Sequence, residues 1–277
     1  MKTNEYPFTV HDIDLFFHEL KISLSPANID ESYKPGLNRV TINNCSVFLP
    51  DDLDCKDLPW LWHEVYDSFE NNPSSYNHPK IDYESLEWVL DAGAAEGYFS
   101  LFCAEKVPAK TRIYAIEPLQ IMHNPLKETM RYNRITNVEV INAAVGENDE
   151  IAYIEQDPIH PCDSHLSKYD GQDKSIANKD LQQVQCSRLD TFALTLGLTG
   201  RGLVKMDIEG YEMSALNGAV ELLSNQKPFL AIAVYHEYSN AIKCAQIVKS
   251  ANPEYTIEFR GCYGYFSPPR PYMIFAY

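Results

Sequence analysis

Basic charge is scarce in this chain: 23 Lys+Arg stand against 39 Asp+Glu, a formal net charge of −16 over 277 residues. So acidic a surface repels phosphate backbones, and no Lys/Arg cluster offsets it, so DNA or RNA is not an expected partner. Long apolar runs are lacking as well. No stretch approaches the roughly 18 consecutive apolar residues of a membrane helix, and no span is expected. The opening Met1-Lys2-Thr3-Asn4-Glu5 has no charged-then-apolar signal pattern. The seven cysteines are odd in number and include no Cys-x-x-Cys. The expectation is a cytoplasmic protein with reduced, buried thiols. Repeats and low-complexity tracts are absent.

What the chain does have is apolar patterning, with 45% hydrophobic residues, ordinary for a protein that buries a core. Residues 1–85 read as a small N-terminal α+β capping lobe. Thr9-Val10-His11-Asp12 resembles a capping box, and Ile13, Phe16, Phe17 and Leu20 follow at helical spacing. Ser46-Val47-Phe48-Leu49 suggests a short strand. Leu58, Trp62, Val65, Tyr66 and Phe69 give an amphipathic helix with Pro59 in its first turn. Asn71 to Ser75 is a turn-rich break.

From residue 86 to 277 strands and helices alternate. Trp88–Asp91, Arg112–Glu117, Val138–Asn142, Gly202–Asp207 and Phe229–Tyr235 read as strands. Tyr98–Glu105, a face of Met122, Leu126 and Met130, one of Met213, Leu216, Val220 and Leu223, and Ala241–Ser250 read as helices. Two late strands, Tyr255–Phe259 and Tyr272–Ala276, have no helix between them. Residues 156–185 read as a polar insert. Within it His160, Cys162 and His165 match no common zinc spacing, and Gln172–Asp180 reads as the tip of a substrate-covering loop. The aromatic stretch Tyr263–Pro269 is a candidate wall for an acceptor pocket. The fold class is therefore α/β: a doubly wound, mostly parallel seven-stranded sheet with an antiparallel C-terminal hairpin. That arrangement resembles the class I, Rossmann-like sheet of S-adenosylmethionine-dependent methyltransferases.

Such sheets bind ligands at the C-terminal ends of their strands. The first strand ends in Asp91-Ala92-Gly93-Ala94-Ala95-Glu96-Gly97. Its glycines are four apart, which lacks the G-x-G-x-x-G spacing of dinucleotide folds. A carboxylate before the turn disfavours pyrophosphate and suits the ammonium of a methionine moiety. Glu117, at the end of the second strand, can accept hydrogen bonds from both ribose hydroxyls. Asn142 and Ala143 close the third strand, where an adenine is expected. The candidate S-adenosylmethionine contacts are Asp91, Gly93, Ala94, Ala95, Glu96, Tyr98, Phe99, Ser100, Glu117, Pro118, Asn142, Ala143 and Asp207.

A second motif, Lys205-Met206-Asp207-Ile208-Glu209-Gly210-Tyr211-Glu212, puts four charges at a strand end aimed at the same cleft. Charges there must be solvated, paired or used, and the helix dipole accounts for Glu212. With Val89-Leu90-Asp91-Ala92-Gly93-Ala94-Ala95-Glu96-Gly97-Tyr98-Phe99-Ser100, Ala115-Ile116-Glu117-Pro118, Asn142-Ala143-Ala144-Val145-Gly146, Ser187-Arg188-Leu189-Asp190-Thr191-Phe192 and Ala233-Val234-Tyr235-His236, this motif resembles the FkbM family of methyltransferases. The resemblance covers most of residues 86–240. It implies an O-methyltransferase acting on a hydroxyl of a sugar, glycan or related metabolite. Many members carry Gly-Ala-Asn where this chain has Gly93-Ala94-Ala95.

Methyl transfer to a hydroxyl needs alignment and a proton acceptor. His236 is the candidate base, paired with Asp207 or Glu209, and Lys205 completes the candidate catalytic set. The primary reading includes no metal. A less favoured variant places Mg²⁺ on Asp207, Glu209 and Glu237. The remaining alternative is a cofactor-binding scaffold without catalysis, against which the intact Asp91, Glu117, Asp207 and His236 argue.

Overall fold

The computed structural model describes residues 25–72, 74–155, 165–167, 181–236, 239–263 and 270–277. Thr9–Leu20, His160, Cys162, Gln172–Asp180 and Glu237 lie outside them, as does most of Tyr263–Pro269. Of His165 and Tyr263 only the backbone is described.

Seven strands form the central sheet. In chain order they are β4 (Trp88–Ala92), β5 (Arg112–Ile116), β6 (Val138–Ile141), β11 (Gly202–Met206), β12 (Phe229–Ala233), β13 (Ile257–Tyr263) and β14 (Arg270–Ala276). Their spatial order is β13-β14-β12-β11-β4-β5-β6. Pairing is parallel from β12 through β6, and β14 runs antiparallel to both its neighbours. The chain first builds outward from β4 and then returns to its other side at β11. The β4/β11 boundary is thus the point where strand order reverses and a crevice opens.

Alternation of side chains sends successive residues of each strand to opposite faces. Val89, Ile113, Leu203 and Ala231 join one apolar cluster with α2 (Tyr98–Lys106) and α3 (Gln120–Tyr132). Leu90, Tyr114, Val204 and Ile232 join another. It also holds buried residues of α4 (Leu189–Thr195), α5 (Glu212–Asn217), α6 (Val220–Asn225) and α7 (Asn240–Ala251). Cys45, Cys55, Cys103, Cys186 and Cys244 are buried free thiols. No helix among the described residues is long and apolar enough to cross a membrane.

The N-terminal part is richer in strand than its sequence suggested. β1 (Asn28–Lys34), β2 (Leu37–Ile42) and β3 (Cys45–Pro50) form an antiparallel sheet. Asn43 and Asn44, both at positive φ, connect β2 to β3. This is the two-residue turn whose twist suits a hairpin, and asparagine tolerates it. The sheet packs on α3, where the Phe48 amide donates to Thr129 Oγ1 at 3.0 Å and Asn133 Nδ2 to the Ser46 carbonyl at 2.7 Å. The helix expected around Pro59 is α1 (Leu58–Tyr66), which ends before Phe69.

Two sequence expectations need correction. Residues 181–185 are not loop: Leu181–Ser187 is strand β10, antiparallel to β8 (Glu150–Glu155), and β9 (His165–Ser167) pairs with β8. β7 (Ala144–Val145) pairs with β10 on its other side. Val184 and Cys186 are buried at alternate positions while Gln183 and Gln185 are exposed. Met213–Leu223 is likewise not one helix but α5 and α6, broken at Gly218-Ala219. A Cβ on Gly218 would lie 2.2 Å from the Gly146 carbonyl oxygen. The Asp190 carboxylate accepts the Glu221 and Leu222 amides at 3.2 and 2.8 Å, so a side chain from another element caps the second helix.

Candidate functional site

The turn after β4 is built by its backbone. The Gly93 and Ala94 amides both donate to the Ile116 carbonyl, at 3.0 and 3.1 Å, and the Gly97 amide donates to the Ala94 carbonyl at 2.8 Å. Gly93 has φ +76, and a Cβ there would lie 1.9 Å from the Asp207 carbonyl oxygen. Only glycine lets the turns after β4 and β11 touch. Ala95 is also left-handed, at φ +45, a conformation that costs a residue with a Cβ about 1–2 kcal/mol and that asparagine adopts readily.

These turns open on a cavity of about 360 Å³, within the range of small-molecule sites. Of the expected cofactor contacts, Gly93 to Glu96, Tyr98, Phe99, Glu117, Pro118, Ala143 and Asp207 line it. The Glu117 carboxylate accepts the Ala95 amide at 3.0 Å and the Leu119 amide at 2.8 Å. Burial pushes its pKa up to about 7, against the pull of those amides and the Lys205 ammonium. Burial likewise lifts Glu96 to about 7. The Glu96 Oε2 atom is buried with no hydrogen-bond partner.

Asp91, Ser100 and Asn142 sit behind the cavity wall. Asp91 is fully buried, 3.3 Å from Lys205 Nζ, and accepts the Ser100 hydroxyl at 2.6 Å. Lys205 borders the cavity but its ammonium donates to the Gly93 carbonyl at 2.6 Å. Burial opposes its charge, yet Asp91 and Asp207 raise its pKa. These contacts fasten the loop to β11. Asn142 Nδ2 donates to the carbonyls of Glu117 and Pro118, at 2.9 and 3.0 Å, which ties β6 to the same turn.

At the end of β11, Asp207 and Glu209 also line the cavity. Glu209 and Gly210 both have positive φ, so this turn is a tight reversal. His236 lies three residues past β12 rather than in it, with a side chain 9% exposed. Its Nε2 is 3.5 Å from Asp207 Oδ1 and 3.2 Å from Glu209 Oε2. Burial alone would lower the His236 pKa, but the hydrogen-bonding and charge of Glu209, Glu212 and Asp207 outweigh it and push it up to about 11.

Glu212 has a larger part than the helix dipole gave it. It is fully buried, accepts the Ile208 and Gly210 amides at 3.2 Å each and Asn240 Nδ2 at 3.1 Å, and lies 3.3 Å from His236 Nδ1.

Sequence reasoning also missed the other end of the cavity. Tyr76 donates its hydroxyl to Asp207 Oδ2 at 2.7 Å. Glu64, buried on α1, accepts Trp60 Nε1 at 2.6 Å and the Tyr272 hydroxyl in a short hydrogen bond. Burial lifts Glu64 to about 8. Tyr235 stacks on Tyr272 at 4.6 Å. The only local signal was Glu64 itself, a carboxylate among Leu61, Trp62 and Val65. Its partners are remote in sequence.

The sequence profile of the Methyltransferase FkbM domain matches residues 91–255. No curated protein matches the chain. Among solved structures, the methyltransferase FkbM of Methylobacillus flagellatus KT is similar, with 22% identity and a TM-score of 0.53 over 80% of this chain and 51% of that one. The chain thus spans about half the length of that protein. The TYW2 protein of M. jannaschii in complex with AdoMet gives 15% identity and a TM-score of 0.44, over 88% and 86% of the two chains. The precorrin-6y C5,15-methyltransferase of Geobacter metallireducens GS-15 gives 13% and 0.41, over 70% and 81%.

Proposed function

The chain belongs to the FkbM methyltransferase family, and on that premise we propose that it transfers the methyl group of S-adenosylmethionine to a hydroxyl of a sugar, glycan or related small metabolite. The observation that carries this reading is one cavity bordered by Glu117 and the Gly93–Glu96 turn as well as by Asp207 and Glu209.

The residues present fit this cofactor. Glu117 retains lone pairs for ribose hydroxyls. The orphaned Glu96 Oε2 faces burial without a donor, a deficit a bound ammonium or hydroxyl would fill. When bound, S-adenosylmethionine supplies a methyl carbon already activated by its sulfonium.

The protein has then to align the acceptor oxygen and receive its proton. With His236 held as a cation by its carboxylate neighbours, the proton goes to a carboxylate rather than to the ring. Asp207 is the candidate, oriented by Tyr76 on one oxygen and facing His236 with the other. Asp207→Asn is expected to lower turnover by roughly a hundredfold while cofactor affinity changes less than threefold. Initial rates together with calorimetric titration of S-adenosylhomocysteine check this; a loss confined to affinity would make Asp207 a cofactor ligand only.

Cofactor binding should itself report on Glu117. Its ionised form is the one that accepts hydroxyl donors. With its pKa near 7, affinity for S-adenosylhomocysteine falls about tenfold from pH 8 to pH 6. Glu117→Gln flattens that profile. A slope unchanged in the variant would assign the titration to Glu96.

The reading as a whole is tested by incubating the protein with methyl-labelled S-adenosylmethionine and a panel of mono-, oligo- and nucleotide sugars, with products read by mass spectrometry. Cofactor binding without label on any hydroxyl would leave a non-catalytic scaffold as the answer.

A further inference from the structure

We infer that the end of the cavity lined by Trp60, Glu64, Tyr76, Tyr235 and Tyr272 is the acceptor subsite, and that it takes an uncharged sugar ring, one hydroxyl of which is held by Glu64 Oε2. Its role toward the acceptor rests on the methyl-transfer reading. Tyr76 fixes its place: the phenol donates to Asp207 Oδ2 at 2.7 Å, so this end adjoins the carboxylate assigned to the acceptor's proton. Tyr235 apart, these residues lie outside residues 91–255, the part matched as the family domain.

Glu64 is the costliest of these side chains to place. A buried carboxyl has to be paired or used, and Glu64 is 3% exposed on the same helix as the buried Leu58 and Val65. Both its side-chain hydrogen bonds, from Trp60 Nε1 and from the Tyr272 hydroxyl, fall on Oε1. Oε2 takes none from the described residues, yet it is not sealed off, so it opens on the cavity that Glu64 lines. Two fixed donors on one oxygen hold the other in position. Burial, with Asp207 and Glu96 adding to it, raises the pKa of the carboxyl to about 8. The proton falls to Oε2, because Oε1 is already engaged as an acceptor. Oε2 is then a donor for a ligand hydroxyl.

The surroundings select the class of acceptor. Aromatic rings suit the C–H faces of a sugar, whose hydroxyls need fixed polar groups. Tyr235 and Tyr272 stack at 4.6 Å, and Trp60 is held through its bond to Glu64 at 2.6 Å. Charge then excludes anions. Glu64, Glu96, Glu117, Asp207 and Glu209 line the cavity, and among its described lining residues Lys205 is the one basic side chain. That ammonium is engaged by the Gly93 carbonyl at 2.6 Å and by Asp91 at 3.3 Å. A phosphate or carboxylate on the acceptor would enter without a counter-charge. Neutral sugars therefore fit, whereas sugar phosphates, uronic acids and nucleotide sugars do not.

The test is the binding of glucose, galactose and mannose, each beside its 6-phosphate and its uronic acid, to the full chain loaded with S-adenosylhomocysteine. Affinities are read by ligand-observed nuclear magnetic resonance. At least one neutral hexose is expected to bind, and its charged counterparts at least about tenfold more weakly. Glu64→Leu is expected to weaken that hexose about tenfold, with S-adenosylhomocysteine affinity and thermal melting as controls for the fold. Glu64→Gln, which keeps an acceptor for Trp60 and Tyr272 and puts an N–H donor at the place of Oε2, recovers most of the loss. The comparison of neutral with charged sugars needs no variant. Charged forms that bind as tightly as neutral ones, no hexose binding at all, or affinity unaltered in Glu64→Leu overturns the inference. Methyl-labelled S-adenosylmethionine then replaces S-adenosylhomocysteine. Glu64-dependent hexose binding without labelled product defeats the methyl-transfer reading and leaves the sugar site. Labelled product from the charged sugars alone defeats the subsite and leaves that reading.

Discussion

Gly93→Ala is expected to abolish measurable binding of S-adenosylhomocysteine and to destabilise the fold by at least about 3 kcal/mol. Two costs add. The backbone there is left-handed, at φ +76, and the new Cβ would lie 1.9 Å from the Asp207 carbonyl oxygen and 2.9 Å from its carbon. Those atoms belong to a backbone held by the Asp207 amide donating to the Ala92 carbonyl at 3.1 Å, so they have no rotamer by which to retreat. Relief requires the turns after β4 and β11 to part, and these are the turns that border the cavity. Gly36 provides the control. It has φ +81 with no atom within 4 Å of a built Cβ, so Gly36→Ala carries the conformational cost alone, about 1 kcal/mol. Thermal melts and calorimetric titration of both variants separate strain from collision. Equal destabilisation in the two would show that the contact between the turns is unimportant.

Lys205→Ala should cost about 3–5 kcal/mol, because it strands the Asp91 carboxylate in the core. Asp91 is fully buried and keeps only the Ser100 hydroxyl once the ammonium 3.3 Å away is gone. The Gly93 carbonyl loses its donor at the same time. For a chain of this size the melting temperature should drop by roughly 10 °C. Removing both charges is predicted to be milder than removing one: Asp91→Asn combined with Lys205→Met should recover more than half of the loss, since no buried charge is then left unpaired. A single Lys205→Ala variant that melts within a degree or two of the parent would refute the structural role.

These two positions also show where sequence reading reached its limit. Asp91, Gly93 and Lys205 were all legible as special. A glycine in a strand-to-helix turn and charges at the end of an apolar strand each violate the local pattern. Their division of labour was not legible. Asp91 and Lys205 belong to different strands, and only the pairing of β4 with β11 reveals that they form an ion pair. The same holds for Glu212. Helix-end chemistry accounted for it locally, while its use as the anchor of His236 depends on a loop more than twenty residues away. The hairpin β2–β3 had a signal in Asn43-Asn44, and β10 had one in the alternation of Val184 and Cys186. The break between α5 and α6 had a signal in Asn217-Gly218, but the cap of the second helix had none, because it is the side chain of Asp190.

The sequence by itself determined the order of the seven strands of the central sheet in residues 86–277, the glycine turn after the first of them and the charged strand end. Each is encoded within a few consecutive residues through periodicity, backbone freedom or misplaced charge. Tertiary structure alone decided which carboxylate faces the cavity and which is spent on holding the loop. It also joined Glu64, Tyr76 and Tyr272 to the site from outside the matched domain, and it gathered Asp207, Glu209 and His236 around one point. Those outcomes depend on distances between segments that are far apart in the chain, which residue spacing does not carry.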